Sequence, residues 1–187
     1  MATDGSVYLA TDTCTCSTHI SSSYRVWRRE IIMNWYKQPE SWSFILRRYL
    51  PCLVFYSLVW EIAQLPLYTL WAEPSWGRII FAVAHCTVGD AMIGTAALIL
   101  ALILIRVGEW ASWPRMRIGM LIVFLTVDYT VLSERINLAR GNWAYSSWMP
   151  VLPWVEVGMA PVAQWIIVPL VTWWWANRRP IHAPRHK

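Results

Sequence analysis

The sequence predicts an all-α integral membrane protein: a four-helix bundle with both termini in the cytoplasm and a Trp/Pro-rich outer loop. Of its 187 residues, 57% are hydrophobic and only 14% are charged, whereas roughly a quarter of the residues in a soluble domain are charged. Four apolar runs each approach or exceed the ~17–20 residues that cross ~30 Å of hydrocarbon as a helix. The fifteen tryptophans agree, because indole favours the membrane–water boundary.

A Ser/Thr-rich segment precedes the apolar runs. Residues 1–32 contain little apolar sequence, show no secretory signal peptide and are predicted to be disordered. Met33 opens a stretch more typical of the membrane domain and is an alternative start to Met1. We therefore divide the chain into a disordered to interfacial cytoplasmic segment (1–47), a four-span membrane domain (48–177) and a basic cytoplasmic tail (178–187).

The four spans are predicted from hydropathy and length. They are expected at about Leu50–Trp71, Ile79–Ile105, Ile118–Leu138 and Ala160–Trp175. Helices this long and this poor in charge are rare in soluble proteins, and four in one chain strengthen the membrane prediction. The fourth run is the shortest.

The basic residues predict the orientation of the spans. Thirteen of the 16 Lys and Arg residues precede the first span, join the second to the third, or follow the fourth. Positive charge marks cytoplasmic segments, so the pattern predicts a bacterial inner-membrane protein with both termini inside. The net charge of +5 suits anionic lipid headgroups, and no separate basic domain suggests nucleic acid as a partner. Three basic residues fall on the other side: Arg78, Arg135 and Arg140.

The longest connection between predicted spans covers residues 141–159. It is too apolar for a solvated linker, and we expect it to fold back over the bundle as a cap. The aromatic and proline residues of the loop are Trp143, Tyr145, Trp148, Pro150, Pro153 and Trp154.

The four cysteines form no disulfide framework and are predicted to be free thiols. They are Cys14, Cys16, Cys52 and Cys86.

Ionisable and polar side chains lie at membrane depth in the predicted spans, between the midplane and the outer surface. A charge at the bilayer centre costs roughly 2.5–3.5 kcal/mol on insertion scales, so these groups must pair, bind protons or face a wet cavity. The candidate catalytic residues are Glu61, His85, Asp90, Asp128 and Glu134. The candidate substrate-binding residues are Gln64, Arg135, Asn137, Trp143 and Tyr145.

Each candidate also has a structural interpretation. Glu61 can act as a protonated, hydrogen-bonded carboxyl that fixes helix packing, and His85 as a packing histidine. Glu134, Arg135 and Asn137 can simply end a helix at the headgroups. A metal site is the less favoured alternative, and it would draw its ligands from the carboxylates and His85. A haem held by two histidines, a phosphate-cradling Gly loop and a nucleophile elbow are excluded by the residues present.

Four short motifs carry a resemblance to other proteins. WEIAQLP (Trp60–Pro66), HCTVGD (His85–Asp90), SERIN (Ser133–Asn137) and WAYS (Trp143–Ser146) resemble a group of small polytopic bacterial membrane proteins of uncharacterised function. The likeness covers most of the chain from Met33 and implies a fold without implying an activity.

A shorter stretch resembles a second group. Glu134, followed by Gly141, Trp143, Tyr145 and Pro150, is similar to a segment of carotenoid-cyclase-like membrane proteins. This likeness spans only about 20 residues, so no catalytic role is carried over from it.

Three functions remain open at this point. The first is a membrane enzyme or binder acting on a lipid or isoprenoid from the outer half, with Glu61 and Asp128 as acid–base groups, His85 as proton carrier and Arg135 as an anchor for an anionic group. The second is a noncatalytic subunit or assembly factor of a larger membrane complex. The third, a small proton-coupled carrier, is disfavoured because the inner half lacks a polar path. The sequence names no cofactor.

Overall fold

A computed structural model describes residues 34–72 and 75–178. The predicted disorder of residues 1–32 and the basic tail after residue 178 lie outside the described residues. Within the described ranges, the chain is all-α apart from one short hairpin, and four long apolar helices pack together. All four are long and apolar enough to cross a membrane, which confirms the predicted four-helix membrane bundle.

The four spans alternate in direction and are joined by connections of unequal length. Span 1 contains two α-helical stretches, Pro39–Phe44 and Leu50–Gln64, linked by a π-helical turn. Short 3-10 turns occur at Trp35–Lys37, Leu65–Leu67, Thr69–Ala72 and Trp110–Ser112. The complete spans are span 1, Pro39–Leu67; span 2, Trp76–Leu104; span 3, Arg115–Ala139; and span 4, Met159–Asn177.

Span 1 begins at Pro39, well before the apolar run predicted from Leu50. Arg47 and Arg48 lower the local hydropathy, so the sequence-based prediction began span 1 after them. The helix continues through them because its other face is buried: Phe44 and Tyr49 are both fully buried. Their rings meet Trp173 of span 4 at centroid distances of 5.6 and 6.3 Å, and aromatic burial on this scale stabilises the extra turns.

Close helix contacts fill the half of the bundle that contains the first residues of span 1, which we call the terminal half. The Tyr49 hydroxyl donates a hydrogen bond to the Gly94 carbonyl at 3.1 Å. The side chain of Leu53 lies against Gly94, where a Cβ would come within 2.6 Å of Leu53 Cδ2. The Trp173 indole donates to the Arg115 carbonyl at 2.9 Å. This half is therefore a packed core.

The long loop between spans 3 and 4 closes the opposite half, which we call the loop half. Strands β1 (Val151–Leu152) and β2 (Val157–Gly158) form an antiparallel hairpin within it. The Thr69 amide donates to the Ala144 carbonyl at 3.0 Å, and the Ser146 amide donates to the Leu67 carbonyl at 2.9 Å. The loop thus folds back against the end of span 1, as expected for a cap.

Candidate functional site

A cavity of about 710 Å³ lies in the loop half and is lined by all four spans. Spans 1, 2, 3 and 4 contribute residues from their loop-half ends, and the connections contribute a few more. Its polar and ionisable lining residues are Glu61, Gln64, Tyr68, Thr69, Arg78, His85, Cys86, Asp90, Tyr129, Thr130, Ser133, Glu134, Asn137, Asn142, Trp143 and Gln164.

Gln164 joins two carboxylates at the buried wall of the cavity. Its amide nitrogen donates to Asp90 Oδ2 at 2.6 Å and to Glu61 Oε1 at 3.1 Å. All three side chains are buried, although they come from spans 4, 2 and 1. One amide nitrogen thus bridges the carboxylates of Glu61 and Asp90, which we call the carboxylate pair.

A second amide completes this network. Gln64 donates to Glu61 Oε1 at 2.9 Å and to the Gln164 side-chain oxygen at 3.3 Å. The Trp60 indole in turn donates to Gln64 Oε1 at 3.1 Å. Trp60 and Glu61 each lie about one helical turn before Gln64, so both side chains can reach the Gln64 amide. These contacts hold Glu61 in one orientation.

The carboxylate pair is suited to hold a proton. Two ionised carboxylates this close repel strongly in a low-dielectric interior, and one proton on the pair removes that repulsion. Among the described residues, no Lys or Arg forms an ion pair with Glu61 or Asp90. A pair of acids that shares a proton can both donate and accept one, which is what general acid–base chemistry needs.

A second polar cluster lies where the loop meets span 3. The Tyr145 hydroxyl and the Trp143 indole both donate to Glu134 Oε2, the latter at 3.4 Å. Tyr145 also accepts a hydrogen bond from the Gly158 amide at 2.9 Å. Burial raises the pKa of the Tyr145 hydroxyl above its usual range, and its bond to Glu134 raises this pKa further. Tyr145 therefore remains a donor at physiological pH.

Part of the exposed lining of the cavity lies on spans 2 and 3. Phe81 and His85 of span 2 line it and are exposed, as is Tyr129 of span 3. The ring of His85 stacks on Phe81 at a centroid distance of 5.7 Å. No atom lies within 4 Å of the position that a Cβ on Gly89 would occupy. Phe81 and His85 therefore form part of the exposed side of the cavity.

Most of the predicted site residues come together here. Tyr145 reaches the site through Glu134 from the loop. The others that line the cavity are Glu61, Gln64, His85, Asp90, Glu134, Asn137 and Trp143.

Asp128 and Arg135 lie outside the cavity, and both are exposed. The buried face of span 3 carries Thr126, Thr130 and Glu134. Each residue on a helix turns about 100° from the last, so Asp128 points nearly opposite to Thr126 and Thr130. Arg135, predicted to anchor an anionic group, is likewise absent from the residues that line this cavity.

Gln164 is the site residue that sequence reasoning left out. It was visible as an amide within an otherwise apolar run, but its partners could not be read from span 4 alone. Cys86 and Tyr68 also line the cavity and were not among the predicted site residues. Cross-span contacts were needed to assign all three.

Within residues 34–72 and 75–178, no three His, Cys, Asp or Glu side chains are grouped closely enough to hold a metal ion. Comparisons with protein-family models, with curated proteins and with solved structures gave no match to this chain. The candidate function must therefore be argued from the cavity itself.

Proposed function

We propose that this multi-pass membrane protein binds an amphipathic lipid or isoprenoid in its loop-half cavity and acts on it by acid–base chemistry. The observation that supports this most strongly is that the buried carboxylate pair lines a cavity whose exposed lining includes Phe81 and His85 of span 2. The volume of about 710 Å³ is within the ~300–1,000 Å³ of small-molecule sites.

The lining of the cavity selects the ligand's polar group. Three carboxyl groups line it: Glu61, Asp90 and Glu134. Of the described lining residues, only Arg78 is an Arg or Lys, and it is exposed near the start of span 2. An anionic head would meet repulsion at the buried end, so the ligand has a neutral hydroxyl head or a cationic amine head. Its apolar part would lie against Phe81 and the other apolar walls.

The residues have separable roles in this proposal. The carboxylate pair donates and accepts the proton at the ligand's head, and Gln164 keeps the two acids together. His85 stands at the opening, where its imidazole can pass a proton between the cavity and the boundary. The Glu134–Tyr145 contact fixes the loop over the cavity. Glu61 and Asp90 are the candidate catalytic residues.

Ligand retention tests the binding half of the proposal. The full chain is purified from membranes in mild detergent, and bound small molecules are extracted and identified by mass spectrometry. Gly89→Phe fills open space in the cavity, whereas Met92→Phe adds similar bulk on the same helix at a side chain that is 69% exposed. The wild type and Met92→Phe should retain one enriched amphiphile that Gly89→Phe loses. Equal lipid content in all three proteins would contradict the proposal.

Glu61→Gln then separates an enzyme from a binder. The amide keeps the size and hydrogen bonding of Glu61 but cannot exchange the proton. An enzyme should retain its ligand and lose conversion of it, with normal expression. Loss of expression would indicate that Glu61 serves packing instead, as in a noncatalytic subunit.

A further inference from the structure

Span 3 carries an exposed ridge that the cavity does not use. Its residues recur every four positions, so they form one continuous row along the helix. All are exposed, from 77% for Met116 to 40% for Ile136, and only the residue at the centre is charged. We call this row the span 3 ridge: Met116, Met120, Phe124, Asp128, Leu132 and Ile136.

Asp128 is the anomaly on this ridge. It stands at the middle of the 25-residue span 3, about 18 Å from either end at ~1.5 Å per residue. A side chain as short as aspartate cannot extend that far to reach the headgroups. In the part of the chain that the structure describes, the Asp128 carboxylate has no hydrogen bond or ion pair. An acid facing lipid at this depth costs roughly 2.5–3.5 kcal/mol on insertion scales.

A second copy of this chain would not relieve that cost. Two copies inserted in the same orientation and related by a two-fold axis place Asp128 opposite Asp128. The nearest basic residue on the same helix, Arg135, is seven residues away, or about 10 Å along the axis. No other described Lys or Arg lies near the middle of a span. A complementary charge at this depth therefore has to come from a different chain.

We propose that the span 3 ridge binds a transmembrane helix of another protein, one that carries a Lys or Arg at mid-membrane depth. The apolar residues on either side of Asp128 would pack against that helix, and the ion pair would form where the bilayer offers no other partner. Pairing of this kind offsets part of the cost of each buried charge. The inference does not depend on the cavity, because Asp128 points away from it.

A defined helix can stand in for the partner. The full chain is labelled with a donor fluorophore and reconstituted into phosphatidylcholine vesicles with acceptor-labelled Leu/Ala peptides of transmembrane length. The peptides differ only at their midpoint, which is Lys, Leu or Asp. Energy transfer should report roughly tenfold stronger association of the Lys peptide than of the Leu peptide, given the strength of interhelical polar contacts. The Asp peptide should associate least.

Two variants make the test specific. Asp128→Leu and Asp128→Asn should remove the preference for the Lys peptide, while Glu109→Gln, which removes an exposed carboxylate from the connection between spans 2 and 3, should leave it unchanged. Equal binding of the Lys and Leu peptides, or a preference that survives Asp128→Leu, would overturn the proposal. So would a loss of energy transfer between copies of the chain on Asp128→Leu, because that would identify a second copy as the occupant.

Discussion

The amide nitrogen of Gln164 in span 4 lies 2.6 Å from the carboxylate of Asp90 in span 2. The two residues are 74 positions apart in the sequence and belong to two different spans. Their contact, together with the one from Gln164 to Glu61, ties three spans together at the cavity wall. The site is thus also part of what holds the loop half of the bundle in register.

Removing either partner of this contact should destabilise the protein. Gln164→Leu removes the amide donor to Asp90 and one of the two donors to Glu61, and a buried polar group that loses its partner costs about 1–3 kcal/mol. Asp90→Leu should cost a similar amount. The double variant should be more stable than the sum of the two effects, because it removes donor and acceptor together. Thermal unfolding in detergent measures this coupling, and strictly additive effects would show that the contact contributes nothing.

Two glycines of span 2 should respond differently to alanine. A Cβ on Gly94 would lie 2.6 Å from Leu53, whereas a Cβ on Gly89 would meet no atom within 4 Å. Gly94→Ala should lower the stability by about 1–3 kcal/mol through overpacking, and Leu53→Ala in the same chain should recover part of that loss. Gly89→Ala should leave stability unchanged or raise it, because alanine favours the helix. Equal changes in stability for Gly94→Ala and Gly89→Ala would contradict the close packing of Leu53 against Gly94.

Because of the contact between Tyr145 and Glu134, the stability of the folded protein should fall at alkaline pH. Burial raises the pKa of Tyr145 in the folded protein, whereas in the unfolded chain a tyrosine ionises near pH ~10. Its stabilising effect is therefore complete below pH ~10 and is lost as the pH rises through the higher folded value. Tyr145→Phe should unfold at a lower temperature than the wild type at pH 7, and the difference should narrow above pH ~10. A difference in unfolding temperature between the two proteins that stayed constant as the pH rose would contradict this prediction.

The orientation of the spans can be checked from the two sides of the membrane. Ser147 in the loop and Ser112 between spans 2 and 3 are both exposed, and the positive-inside pattern places them on opposite sides. In a cysteine-free background, Ser147→Cys should react with an impermeant maleimide on intact spheroplasts. Ser112→Cys should react only after the membrane is opened. The reverse pattern would invert the predicted topology.

Hydropathy and charge were sufficient to predict the four spans, because crossing a membrane imposes a length and a composition that any window of sequence reveals. The start of span 1 escaped that analysis. Arg47 and Arg48 made the segment look interfacial, while Phe44 and Tyr49 bury their rings against a span more than a hundred residues away. Tertiary packing decided this boundary.

The candidate site was only partly predictable for a related reason. Depth along a helix can be counted from the sequence, so Glu61, Asp90 and Glu134 were expected in the same half. The direction in which a side chain points depends on which face of its helix is buried. Asp128 has the right depth but lies on the exposed face, whereas Gln164 lies on the buried one. The sequence alone therefore predicts the depth of a side chain in the membrane, but not the direction in which that side chain points.

The most direct test uses an apolar carbodiimide, which reaches carboxyl groups through the bilayer and modifies them only when they carry a proton. Membranes containing the wild type or Gly89→Phe are treated, and the modified residues are mapped by mass spectrometry. We expect modification at Glu61 or Asp90 in the wild type, strongly reduced in Gly89→Phe and unchanged in membranes that contain the control variant Met92→Phe. A wild type that shows no modification at Glu61 or Asp90 would mean that no protonated pair is reachable from the lipid, and would contradict the account.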